Sequence, residues 1–314
     1  MSETLLGYLL STAALLLFTI AILATKLASS RLSLGLGFLV ATATNVVFSA
    51  LALAVQLALG AGSLEWNVQA LWLFAAAGAF ATYLGRWFFY ESVVRFGPAK
   101  ASIFQVSSPL FTALIAWLWL DERLTASIAG GVALTVAGLV LVSCKPGLFS
   151  RRKADPVQAA LPAASLHQRL LRSALLLGLG SSLAYAIGNV LRGTAVRLWN
   201  EPILGAWVGA VCGLVLHLAF SSGKRQLVAR LREASRSGLW LYALIGVATI
   251  SAQICTIGAM RYIPLSVATL VTLCTPLLVF PLSHWLFKQQ QEITAPLLAG
   301  SALTLLGIFI IVSR

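Results

Sequence analysis

The chain has 314 residues, of which 59% are hydrophobic and only 10% charged, with 22 Lys and Arg against nine Asp and Glu for a net charge of +13. A soluble domain carries about a quarter charged residues, so this composition excludes one and points to a polytopic helical membrane protein. The positive charge does not indicate nucleic acid, because Lys and Arg sit in short loops between apolar runs, where anionic lipid retains them.

Ten apolar runs are long enough to span a bilayer: 5–26, 34–59, 68–95, 99–119, 126–144, 173–196, 202–220, 239–260, 265–286 and 295–313. Met1-Ser-Glu-Thr4 has no basic region and the run after it is too long for a signal peptide, so it reads as the first span. Runs of this length exclude barrel strands. The polar segment 145–172 carries Lys145, Arg151, Arg152, Lys153, Arg169 and Arg172 and reads as a basic linker, solvated or regulatory. It joins a half at 1–144 to a half at 173–314. A second polar stretch, 221–238, predicts a short Arg-rich surface helix at the headgroups.

The halves repeat. A shift of 167 carries Phe96-Gly97-Pro98 onto Ile263-Pro264-Leu265, Ala101 onto Ala268 and Pro109 onto Pro276; a shift of 169 carries Gly131, Thr135 and Gly138 onto Gly300, Thr304 and Gly307. Five spans per half is an odd number, so the second half lies upside down relative to the first. The predicted fold is therefore an all-α integral membrane protein of ten transmembrane helices in two inverted five-helix repeats, with a site between them. The even-side loops and span ends hold Arg123, Arg192, Arg197, Arg261 and Arg314, leaving 17 basic residues on the odd side, which by charge alone puts both termini outside.

The segment from Tyr90-Glu-Ser-Val-Val-Arg-Phe-Gly-Pro98 through Ser107-Ser108-Pro109, followed by Leu120-Asp-Glu-Arg-Leu-Thr125, resembles the repeat unit of the drug/metabolite transporter superfamily, in its EamA-type branch. Met260-Arg-Tyr-Ile-Pro264 through Thr275-Pro276, and Tyr185-Ala-Ile-Gly-Asn189, resemble the same unit in the second half. One departure stands out: the acidic pair Asp121-Glu122 faces Lys288-Gln289-Gln290-Gln291 in the second copy, with Glu292 displaced. The resemblance implies a ten-helix carrier in the cell's inner membrane that exports a small metabolite, such as an amino acid or a related amphipathic compound, by alternating access. It also implies cytoplasmic termini, against the charge count. Its partners would be a small-molecule substrate and the lipid bilayer, as monomer or homodimer, with no cofactor and no nucleic acid.

Arg86 is the first candidate for substrate binding. It lies about 15 Å along span three from the Gly97-Pro98 turn, a depth at which arginine is costly unless it faces protein or water. There its fork suits a carboxylate or phosphate; otherwise it snorkels or pairs with Glu91. Its repeat mate is Gln253. Glu91 sits four residues before Arg95, which fits an intrahelical ion pair as well as a coupling carboxylate. Tyr185, Asn189 and Arg192 form one face of span six, lining a cavity or bonding a neighbouring helix, whereas the related face of span one is Phe18, Ile22 and Thr25. Tyr83, Trp87 and Tyr90 offer an apolar wall or simple packing.

Pro109 and Pro276 fall inside spans four and nine and predict a pair of kinks, as gating hinges or as packing. The Gly131–Gly138 and Gly300–Gly307 stripes predict close helix approach, within the bundle or at a dimer contact. His217 and His284 are isolated, and Cys144, Cys212, Cys255 and Cys274 form no C-x-x-C pair, so no metal site or disulfide frame is expected. There is no P-loop, so primary pumping would need another subunit, and no nucleophile elbow, H-E-x-x-H helix or close pair of intramembrane acids, which argues against an enzyme. A scaffold or small-ion channel is the alternative to a transporter, and a scaffold has no need of a buried Arg86 or of inverted halves.

Overall fold

The computed structural model describes residues 3–59, 67–108, 111, 115, 126–143, 174–221, 227–263, 268, 271–272, 274–287 and 295–312. Pro109, Asp121, Glu122, the 145–172 linker and the stretch 288–292 lie outside the described residues. Among those described, every regular element is helical. The first half contributes α1 (Glu3–Ser29), α2 (Leu34–Ala58), α3 (Val68–Phe96), α4 (Pro98–Val106) and α5 (Ala126–Ser143). The second contributes α6 (Ala174–Leu198), α7 (Pro202–Phe220), α8 (Arg236–Ala259), α9 (Thr275–Leu286) and α10 (Ala295–Val312). The short helix Leu227–Glu233, with Arg230 and Arg232 in its last turn, lies between α7 and α8.

Local chemistry sets the boundaries. Asn67 caps α3 by accepting from the Ala70 amide at 3.0 Å. Gly97 ends α3 with φ 88°, a conformation that favours glycine, and Pro98 then opens α4 in its first turn. The Lys26 ammonium donates to the Val94 carbonyl at 3.0 Å, placing a cation at the C-terminal end of α3.

The helices pair as an inverted repeat requires. α1 lies on α8 and its counterpart α6 lies on α3; α2 lies on α8 and its counterpart α7 lies on α3. α5 packs on α10, so that pair maps onto itself. The chain is thus an all-α, multi-pass membrane protein built as two inverted repeats, and five of its described helices are long and apolar enough to cross a membrane. Large apolar side chains, among them Leu51, Trp72, Trp240 and Trp285, point outward, as a lipid-facing surface demands.

The glycine stripes face each other inside the chain. A Cβ on Gly138 would stand 2.5 Å from the Gly300 carbonyl oxygen, and one on Gly307 would stand 2.6 Å from the Gly131 carbonyl oxygen. Thr135 and Thr304 each return their hydroxyl to their own helix at 2.8 Å, bonding Gly131 and Gly300. That leaves α5 and α10 in backbone-level contact, with both threonine hydroxyls bonded.

At the proline pair the structure departs from the sequence expectation. Pro276 does not kink a longer helix; it stands in the first turn of α9, where its missing N–H costs no hydrogen bond. The chain turns just before it, at Cys274 (φ −69°, ψ 0°), whose amide reaches the Val271 carbonyl at 3.1 Å. The repeat-related Ser107 has φ −74° and ψ −1°, and its amide reaches the Phe104 carbonyl at 3.1 Å. Both halves therefore interrupt the helix at the same place, two residues before the proline position.

Candidate functional site

The middle of α3 is not α-helical. Residues Gly78–Gly85 form a π-helical segment in which the Arg86 amide bonds the Ala81 carbonyl, five residues back. Small residues let neighbouring helices press on it. A Cβ on Gly78 would stand 2.5 Å from the Gly209 carbonyl oxygen of α7, and the Ser181 hydroxyl of α6 donates to the Gly85 carbonyl at 2.9 Å. Thr82 and Arg86, four residues apart, share one face of this segment and are both buried.

Arg86 is 2% exposed and Arg192 is 7% exposed, so both guanidiniums sit inside the bundle. Arg192 Nη2 donates to Thr82 Oγ1 at 3.1 Å and to Gln253 Oε1 at 3.2 Å. Arg86 Nη1 donates to the side-chain oxygen of Asn45. A guanidinium only donates, which fixes that amide's orientation. The Asn45 nitrogen then donates to the Gly246 carbonyl at 2.7 Å, the Ala41 carbonyl at 3.0 Å and the Thr249 hydroxyl at 3.2 Å. Tyr185 faces both arginines, and the two guanidiniums are close enough to repel one another.

Neither guanidinium has a carboxylate within 4.0 Å among the described residues. Glu91 is committed to Arg95, whose Nε approaches its Oε2 at 2.6 Å. Arg86 pairs with Asn45 and not with Glu91. Glu201 accepts from Gln56 Nε2 at 3.0 Å, and Glu3 and Glu233 are exposed.

Aromatic groups close the site from the side of α2 and α7. Phe38 packs edge-on against Trp87, Tyr90 and Tyr83 at centroid distances of 5.4, 5.8 and 6.3 Å. Tyr83 also stacks on Phe220 at 6.1 Å, which puts it in the aromatic wall, while Tyr90 lies within electrostatic reach of Arg86. The Tyr90 and Tyr242 hydroxyls are buried and lie near one another, and neither bonds a described protein group. Thr25, beside Tyr90, spends its own hydroxyl on the Ala21 carbonyl at 2.7 Å. His217 belongs to the same wall, its Nε2 at 3.1 Å from the Gly35 carbonyl oxygen. His284 is exposed, and no group of three or more potential metal ligands occurs among the described residues.

Of the residues expected from sequence, Arg86, Tyr90, Tyr185, Arg192 and Gln253 converge here. Asn189 is half-buried on the face of α6 that carries Tyr185 and Arg192, but no hydrogen bond joins it to either arginine. Glu91 and Arg95 form an intrahelical clasp apart from the pair. Asn45, Thr82, Tyr242 and Thr249 were not assigned from sequence. Asn45 could have been: an amide in the middle of an apolar span is costly until it is bonded. Thr82, Tyr242 and Thr249 carry no such signal, because their polarity is ordinary in a spanning helix.

The sequence model described as the EamA-like transporter family matches residues 5–144 and 172–313, covering both halves. No curated protein matches the chain. A solved protein crystal structure matches over 96% of this chain and 96% of its own, with 19% identity and a TM-score of 0.56, a likeness of fold alone.

Proposed function

Because the chain belongs to the EamA-like transporter family, we propose that it is a secondary transporter exporting small metabolites with an anionic group, amino acids or related amphipathic compounds, across the cytoplasmic membrane. The observation that carries this reading is the Arg86–Arg192 pair, buried where α3, α6 and α8 meet and held by neutral groups. Intramembrane arginines are rare, and they are retained where a substrate or pathway uses them. Their unused N–H groups offer charge-assisted bonds to a carboxylate or phosphate. Tyr83, Tyr90 and Tyr185 supply the apolar wall, and Gln253 and Asn189 the neutral polar contacts.

Inverted halves have a ready route to alternating access: exchanging the conformations of the two repeats turns an inward-facing site outward. In this reading the paired interruptions at Ser107 and Cys274, next to Pro109 and Pro276, are the gating hinges. The α5–α10 contact is a fixed strut. The chain works as a monomer or homodimer and needs no cofactor. Glu91 acts as a structural partner of Arg95. Saturable flux of labelled metabolites from loaded proteoliposomes tests the reading, and no saturable flux for any class of metabolite would return the chain to a scaffold or channel.

A further inference from the structure

The charge balance of the arginine pair narrows the substrate class, an inference that rests on the transporter reading above. Two guanidiniums offer five N–H groups each. Among described groups they are met by the Asn45, Thr82 and Gln253 oxygens, all neutral, with the Tyr185 phenol beside them. Of the described carboxylates, Glu91 is paired with Arg95, Glu201 accepts from Gln56, and Glu3 and Glu233 are exposed. Two like charges at close quarters in a buried site therefore lack a described counter-ion, a costly arrangement that an incoming anion relieves.

A second, independent feature points to a ligand at the same place. Tyr90 is 2% exposed and Tyr242 is 0% exposed, neither hydroxyl has a hydrogen-bond partner among the described groups, and Tyr90 lies within electrostatic reach of Arg86. A buried phenol normally finds a partner. The Tyr90 hydroxyl can donate to an acceptor held by Arg86.

We infer that the site takes a small dianion, a dicarboxylate or a phosphate monoester, in preference to a zwitterionic amino acid. Two negative charges neutralise two guanidiniums, and their oxygens accept from both forks and from the Tyr90 phenol. A zwitterion neutralises one guanidinium and brings an ammonium that the other repels. No described carboxylate lies within 4.0 Å of either guanidinium to receive that ammonium.

The test is binding to the purified full-length protein in chloride-free buffer at neutral pH, read by thermal shift and calorimetry. The probes are succinate, inorganic phosphate and L-alanine. Succinate, phosphate or both should raise the melting temperature and alanine should not; the stronger of the two identifies dicarboxylate or phosphate chemistry. Arg86→Gln and Arg192→Gln should each weaken the dianion about 30-fold or more, as expected when one partner of a buried charged contact is removed. Tyr90→Phe removes a hydroxyl that no described protein group uses, so it should fold normally and bind the dianion several-fold more weakly. Equal stabilisation by alanine, unchanged dianion affinity in Tyr90→Phe and both arginine variants, or no dianion binding at all overturns the inference. Saturable zwitterion flux without dianion binding would overturn it and leave the transporter reading standing; absence of flux for every class overturns both.

Discussion

Gln253→Glu is the most informative single change at the site. The side chains have the same length, and Oε1 of Gln253 already accepts from Arg192 Nη2 at 3.2 Å, so the variant keeps that bond and gives it a charge. The fold should hold or gain stability, because a buried guanidinium acquires a counter-ion. Substrate binding should suffer. An anion on the far side of the guanidinium would sit about 6–8 Å from the new carboxylate, and at an effective dielectric of about 20 the repulsion is about 2–3 kcal/mol. That corresponds to a loss of about 30- to 150-fold in affinity. Calorimetric titration of anion into detergent-solubilised wild type and variant, with melting temperatures measured in parallel, reads both effects. A variant that melts at or above the wild-type temperature and binds the anion equally well refutes the idea that the pair's positive charge does the binding.

Three further outcomes follow from the geometry. Asn45→Ala removes the acceptor that Arg86 uses and should cost about 1.5–3 kcal/mol, seen as a fall of several degrees in melting temperature; an unchanged melting curve would mean that Arg86 finds another partner. Gly138→Leu forces side-chain bulk into the Gly300 and Thr304 backbone and should lower the yield of folded protein far more than Gly130→Leu, whose site is open; equal yields would deny the α5–α10 contact. Glu91→Gln breaks a pair that is partly exposed, with 42% exposure at Arg95 and 19% at Glu91, so it should cost no more than about 1 kcal/mol and leave flux within about twofold. Loss of a pH-gradient response in that variant alone would instead make Glu91 the coupling carboxylate.

The fold was legible because lipid leaves few options. Apolar runs had to be helices, and an odd number of them per repeat had to invert the second copy. Arg86 and Arg192 stood out because charge inside a span is expensive. What the sequence hid depends on which helices meet. Asn45 on α2 reaches Arg86 on α3 only because α8 brings the Gly246 and Thr249 acceptors to hold the amide. The Gly78–Gly85 π segment has no periodic signature, since two glycines and small neighbours permit several helical forms. The glycine stripes announced a close contact, but only the packing of α5 on α10 decides between a contact within the bundle and one at a dimer interface. Pro276 misled because a proline inside an apolar run looks the same whether it kinks a helix or begins one.

The central claim is that anionic metabolite crosses through the Arg86–Arg192 pair. Side-by-side flux of labelled succinate in proteoliposomes holding wild type, Arg86→Gln or Arg192→Gln, with equal amounts of folded protein verified for each, tests it most directly. Saturable flux in wild type that falls to the protein-free background in both variants is the predicted result. Equal saturable flux in all three would contradict it.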